Sequence, residues 1–231
     1  MKTLGLIGGM SWESTAIYYR LLNEIVRERL GGLHSAKLLL WSFDFAEIAE
    51  RQHAGDWKGA GVLLVEAARK LESGGAEALV ICTNTMHKLA DAVQAAVSIP
   101  LIHIADATGR AVVGAGGKRP ALLATRFTME QDFYKGRLAG EYGLRPIVPN
   151  KAGRDMVHKV IYDELCQGIV RPESRSAYLD EVGRMQRDDR VDSVIMGCTE
   201  ITMLIGQGDF DIPVFDTTRI HAEAAIDFAL G

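Results

Sequence analysis

One pattern of residues occurs twice in this 231-residue chain at nearly equal spacing, and it constrains the fold more than any single motif. An apolar run ending in small residues opens each half, first as Leu4-Gly5-Leu6-Ile7-Gly8-Gly9-Met10-Ser11 and later as Ala121-Leu122-Leu123-Ala124-Thr125-Arg126-Phe127-Thr128. A second apolar run follows each and leads into a polar tip: Cys82-Thr83-Asn84-Thr85 in the first half, Gly197-Cys198-Thr199-Glu200 in the second. Gly8 to Thr83 is 75 positions, and Ala124 to Cys198 is 74. Each half then adds Ile-Pro, a short apolar stretch and an aspartate, Ile99-Pro100 leading to Asp106 and Ile212-Pro213 to Asp216. The duplication predicts two similar lobes, each with a Thr or Cys at the end of a buried strand. Lobes that face each other would set Thr83 opposite Cys198 across a cleft.

Between the apolar runs lie longer stretches with helical periodicity, and this alternation predicts βαβ units and a fold of the α/β class with mainly parallel sheets. Strands are expected near Thr3–Gly8, Lys37–Ser42, Ala78–Cys82, Leu101–Ile104, Ala121–Ala124, Pro146–Val148, Ser193–Gly197 and Val214–Phe215. Amphipathic helices are expected over Ile17–Leu30 and Ala60–Leu71, with a closing helix over His221–Leu230. The Gly114–Gly117 stretch reads as the hinge. The expected division is therefore residues 1–113 for the first lobe and 114–207 for the second, with 208–231 folding back onto the first. Ligands in such sheets sit outside the carboxyl ends of the strands, where both polar tips fall.

Hydrophobic residues make up 48% of the chain, enough for two buried sheets. Twenty-six basic against 30 acidic residues give a net charge of −4 without basic blocks, which argues against nucleic acid or an anionic membrane surface as partner. Cys82, Cys166 and Cys198 show neither a disulfide framework nor zinc spacing, so free thiols, a cytoplasmic location and no metal are expected. No apolar run approaches the roughly eighteen residues that a membrane span needs.

Cys198 is the sharpest candidate. A thiol at a strand end, just before a helix start, would sit near the positive end of the helix dipole and have its pKa lowered from about 8.5. That suits nucleophilic attack or proton abstraction. Read alone, Cys198 fits a small core hydrophobe equally well, and Thr83 alone fits a helix cap. Their matching positions favour a site. Cys82, one residue earlier, points to the other face of its strand and reads as core. Gly8-Gly9-Met10-Ser11 lacks the dinucleotide fingerprint, its following acidic residue and a phosphate-loop lysine, so backbone N–H groups cradling a carboxylate are expected instead. Thr83–Thr85, Thr125–Thr128 and Cys198–Thr199 offer three more such helix starts. His87 lies on the same helical face as Thr83 and fits either a tuning or a structural role; His103 and His221 read as structural or as supporting the site.

The motifs Gly8-Gly9-Met10-Ser11-Trp12, Cys82-Thr83-Asn84-Thr85-Met86-His87 and Gly197-Cys198-Thr199-Glu200 resemble those of the aspartate/glutamate racemases, and the resemblance spans essentially the whole chain. It implies two pseudo-symmetric Rossmann-like lobes with the active site in the cleft between them, a homodimer, and racemisation by two opposed cysteines with no cofactor. Aligned on Asn84-Thr85-x-His87, the first of those cysteines falls on Thr83. That departure is most similar to the L-aspartate/glutamate-specific members, with which Glu13-Ser14 and Ala105–Arg110 also agree. By the same resemblance Met10, Gln52, Thr83, Asn84, Thr85, Thr199 and Glu200 line the pocket for a small dicarboxylic amino acid. Thr125 joins them as one of the helix starts. Some relatives carry a basic residue where Cys166 falls.

Two acid/base groups on opposite sides of an α-carbon invert it with little substrate motion. A hydroxyl is a far weaker base than a thiolate, so Cys198 is expected to take the proton of the L-enantiomer and Thr83 to supply one to the other face. Other carbanion chemistry on the same scaffold, such as maleate isomerisation or malonate decarboxylation, remains an alternative, as does a non-catalytic binder of acidic amino acids.

Overall fold

A computed structural model describes residues 1–231. Its contacts divide the chain into two units: Met1–Ile104 with His221–Gly231, and Ala105–Ile220. The crossings fall at the amino-terminal ends of two helices. The sequence had placed them at 113/114 and 207/208; Gly114–Gly117 lies inside the second unit.

The first unit begins with β1 (Leu4–Gly8) and α1 (Trp12–Leu30), followed by β2 (Leu38–Ser42), α2 (Phe45–Ala54), α3 (Trp57–Ser73) and β3 (Ala78–Ile81). A 3₁₀ turn (Thr85–Leu89), α4 (Ala90–Gln94) and β4 (Leu101–Ile102) complete its sheet, of order β2-β1-β3-β4 and parallel throughout. Every residue of β1 and β3 is buried, as expected for central strands covered on both faces. Helix starts follow side-chain caps: Ser11 Oγ accepts from Ser14 N–H before α1, Asp44 caps α2, and Asp56 accepts from Gly59 N–H before α3.

The second unit opens with α5 (Ile104–Gly114), one residue of which belongs to the first, and β5 (Pro120–Ala124). Then come α6 (Arg126–Glu130), α7 (Asp132–Tyr142), α8 (Lys151–Asp163), a 3₁₀ turn (Leu165–Gln167) and α9 (Pro172–Asp188). After β6 (Ser193–Gly197), two more 3₁₀ turns (Thr199–Met203 and Gln207–Asp209) lead to β7 (Val214–Asp216), in a parallel sheet of order β5-β6-β7. The strand expected at Pro146–Val148 is a single bridge, Ala121 to Ile147. Two prolines bracket the segment, and Pro146 has no N–H for a ladder, so pairing stops at one residue. The strand expected to reach Ile104 stops at Ile102, because Ile104 already opens α5.

The last helix, α10 (Thr217–Leu230), enters the first unit from His221 onward. Its Ala222, Ala225, Ile226 and Ala229 pack into one cluster with Leu4, Leu6, Tyr18, Leu22, Val80 and Cys82. Each fully buried Leu or Ile there contributes roughly 1.5–3 kcal/mol relative to exposure. A second cluster, on the other side of the same sheet, joins Ile7, Met10, Ile48, Leu64, Leu79, Ile81 and Met86.

Candidate active site

In the first unit the carboxyl ends of β1 and β3 carry the polar tips. The β1 tip turns at Gly9, with φ +80° and so little room that a Cβ would lie 2.3 Å from the backbone N and O of Phe43. Only glycine meets both demands. Gly9 N–H donates to Thr15 Oγ1 (2.8 Å), and the Thr15 hydroxyl donates to Ser11 O (2.8 Å). Ser14 N–H goes to Ser11 Oγ, so part of the expected N–H cradle is spent on the protein's own side chains. Met10, next in line, is buried with Ile48 and Met86.

The β3 tip is pinned from two sides. The Ser14 hydroxyl donates to Cys82 O (3.0 Å), and His87 Nδ1 lies 2.7 Å from Thr83 O. Cys82 itself is buried in the core, where burial pushes its thiol pKa far up. Gln52, near the end of α2, donates from Nε2 to Met86 Sδ (2.9 Å), which brings it to the turn that carries Asn84 and Thr85. Gln52, Asn84 and Thr85 are buried, whereas Thr83 keeps partial exposure.

In the second unit, the Thr125 hydroxyl follows β5 and lies 3.4 Å from that of Thr128. Cys198 follows β6, half-buried, and its Sγ donates to Glu200 Oε2 at 2.9 Å. Thr199 is fixed twice: Thr218 Oγ1 donates to its hydroxyl (3.2 Å), and Thr202 Oγ1 to its carbonyl (2.7 Å). Thr217 Oγ1 ties α10 back to β6 by donating to Met196 O.

The expected helix starts are much smaller than the sequence suggested. Thr85–Leu89 and Thr199–Met203 are single 3₁₀ turns and α6 has five residues; of the four starts only α1 is long. So short a turn aligns too few peptide dipoles to stabilise a thiolate. The Cys198 thiol is accordingly not lowered. Burial raises its pKa well above the ordinary value, and the Glu200 carboxyl and Cys166 thiol add to the effect. Tyr162 and Tyr178 are pushed up as well, chiefly by burial and then by Cys198. These two tyrosines and Cys166 thus share the surroundings of Cys198, and the sequence reading passed over the tyrosines. The available signal was the four-residue spacing of His158, Tyr162 and Cys166 along α8 and its extension; the first two rings lie 4.7 Å apart.

Register shows which residue matches Cys198. The first residue of β1, Leu4, pairs with Ala78, and Thr83 stands five positions after Ala78. The first residue of β5, Pro120, pairs with Ser193, and Cys198 stands five positions after Ser193. Thr83, not Cys82, is the counterpart of Cys198. Among the residues expected to form the site, only these two retain appreciable exposure. No group of three or more His, Cys, Asp or Glu is placed to hold a metal ion, and no helix is long and apolar enough to cross a membrane.

Two parallel-sheet units, each with polar residues at its strand ends, define an α/β protein. The chain belongs to the Asp/Glu/hydantoin racemase family, whose model matches residues 7–225, and its class is isomerase of the racemase kind. A solved putative Asp/Glu racemase from Yersinia pestis is 52% identical, with a TM-score of 0.94 and both chains covered in full. An aspartate racemase homologue from Pyrococcus horikoshii OT3 is 34% identical, with a TM-score of 0.89 and again full coverage of both. The broad specificity amino-acid racemase RacX of Bacillus subtilis (strain 168) is 18% identical over 96% of each chain.

Proposed function

We propose that this protein racemises aspartate, glutamate or both without a cofactor. Cys198 removes the α-proton of the L-enantiomer, and Thr83 delivers a proton to the opposite face. The observation that carries this reading is the matched register of Thr83 and Cys198 at the ends of β3 and β6. The solved relatives described as an Asp/Glu racemase and an aspartate racemase homologue support the substrate class.

Removing an α-proton places charge on the α-carboxylate, and hydrogen-bond donors at the tips stabilise it. A Cys198 thiol held protonated in the free protein must lose its proton before it acts as base, and the adjacent Glu200 carboxyl is the nearest acceptor for it. Thr83 donates well and abstracts poorly, because a hydroxyl is a weak base. The proposed enzyme is therefore asymmetric in rate, while its equilibrium stays that of the free amino acids. The family resemblance also supports a cytoplasmic homodimer.

A wider substrate range is the second reading. Gln52 and Cys166 stand at two of the positions considered for recognition, and neither is a cation that would select a side-chain carboxylate. RacX, described as broad in specificity, agrees with it.

Proton NMR in D₂O, on both enantiomers of aspartate, glutamate, alanine and glutamine with no added cofactor, tests both. Loss of the α-signal from L-aspartate or L-glutamate with appearance of the D-form supports the first reading, and equal turnover of the neutral amino acids favours the second. Exchange of none would sink both.

A further inference from the structure

Three buried histidines meet beneath the β3 tip of the first unit. The ring of His87 lies 4.7 Å from that of His103 and 5.5 Å from that of His221, centroid to centroid. His87 and His221 are each held from both nitrogens, and the partners dictate the proton positions. Ile104 N–H donates to His87 Nε2 (3.2 Å), so that nitrogen carries the lone pair and Nδ1–H donates to Thr83 O (2.7 Å). At His221 the assignment reverses. Ile102 O accepts from Nε2 (2.7 Å), leaving Nδ1 to accept from the Tyr18 hydroxyl (2.7 Å). Both rings are neutral, in opposite tautomers.

We propose that His87 is a positioning residue for Thr83: its neutral, Nδ1-protonated ring fixes the Thr83 carbonyl, and His103 and His221 hold that ring in place. The role assigned to Thr83 rests on the reading above. The physical need is visible in the chain. β3 stops at Ile81, the following 3₁₀ turn has no side-chain cap, and Thr83 leaves the sheet with only its N–H tied to Ile81 O. A bond to its carbonyl fixes the other side of the residue. With the backbone set, a β-branched side chain has few rotamers left, and the hydroxyl is aimed. Against His87 stand the Ile104 N–H and the rings of His103 and His221, and His221 is in turn held by Tyr18 from α1 and the Ile102 carbonyl. Residues from both ends of the unit's sequence thus converge on the orientation of one hydroxyl.

If His87 aims Thr83, its loss impairs the return of a proton to the second face more than its removal from the first. The test follows L-aspartate in D₂O and compares deuterium entering recovered L-aspartate with formation of the D-product. His87→Gln, which lacks a donor at the Nδ1 position, is expected to lower D-product formation on the order of tenfold to a hundredfold. Deuterium entry into L-aspartate falls much less, and KM changes little. His87→Asn, whose amide N–H stands near the Nδ1 position, is expected to restore the wild-type partition. A merely structural histidine would lower both rates together and would not be rescued by Asn; either result overturns the proposal. Nitrogen-15 NMR of the wild-type imidazoles reads the clamp without any activity. His87 is expected as the Nδ1–H tautomer and His221 as Nε2–H. An Nε2–H form at His87 refutes the clamp even in an active enzyme. Wild-type protein that exchanges no amino acid refutes the racemase reading, while the imidazole spectra still decide the clamp.

Discussion

The hydroxyl of Tyr18 in α1 donates to Nδ1 of His221 in α10 across 2.7 Å, joining residues 203 positions apart. The contact closes the first unit over its core and buries an imidazole completely. Burial, with His103 adding to it, lowers the His221 pKa from 6.5 to about 4, and the bond to Ile102 O only partly opposes the change.

Stability therefore depends on pH in a definite window. Above about pH 6.5 His221 is neutral in both the folded and the unfolded chain. Between about 6.5 and 4 only the unfolded chain binds the proton, so stability falls as the pH falls. The shift corresponds to about 3 kcal/mol lost across that window. Urea unfolding at pH 7 and pH 5 is expected to show this loss in the wild type and a flatter dependence in His221→Gln. Equal slopes in the two proteins would refute it.

Glu200 is expected to hold the Cys198 thiol protonated. Glu200→Gln removes one of the causes that raise its pKa, so the thiol should ionise at lower pH than in the wild type. The rate of iodoacetamide alkylation against pH reads this directly when Cys166→Ser is compared with Cys166→Ser/Glu200→Gln, because the Cys166 thiol is itself accessible and is among the causes that raise the Cys198 pKa. An unchanged midpoint would show that Glu200 does not set the thiol.

The two proposed bases are expected to fail differently. Cys198→Ala should abolish turnover of both enantiomers, since the proton must pass through that side in either direction. Thr83→Cys replaces a weak base with a thiol and should raise turnover from the D-enantiomer. Chiral chromatography after reaction from each side checks both. Residual wild-type activity in Cys198→Ala, or no gain in Thr83→Cys, removes the respective role.

Gly9→Ala should destabilise strongly, whereas Gly31→Ala should cost less. Both glycines have positive φ, +80° and +72°, so each substitution meets about 1–2 kcal/mol of backbone strain. At Gly9 the added methyl also strikes the Phe43 backbone, worth a further 1–3 kcal/mol or so, while nothing lies within 4 Å at Gly31. Unfolding midpoints of the two variants compare them. Equal losses would show that the tight β1 turn relaxes.

The sequence by itself determined the parallel strands and the two polar tips. Runs such as Leu4–Gly8 and Ser193–Gly197 are apolar at every position because a central parallel strand is buried on both faces, and that requirement is local to each segment. The same pattern failed at Pro146–Val148, where Pro146 has no N–H and only Ile147 pairs, so the segment forms one bridge and no strand. Tertiary structure alone decided the state of the site. Whether the tips become helices or single 3₁₀ turns depends on what packs beyond them, and with that the dipole expected to activate Cys198 disappeared. The thiol's protonation answers to burial and to a neighbouring carboxyl, and the Thr83 carbonyl to a histidine whose proton is placed by Ile104. His221 arrives from the far end of the chain to pack against that histidine. Local hydrophobic patterning is written in consecutive residues; electrostatics and hydrogen-bond direction depend on groups brought together only by folding.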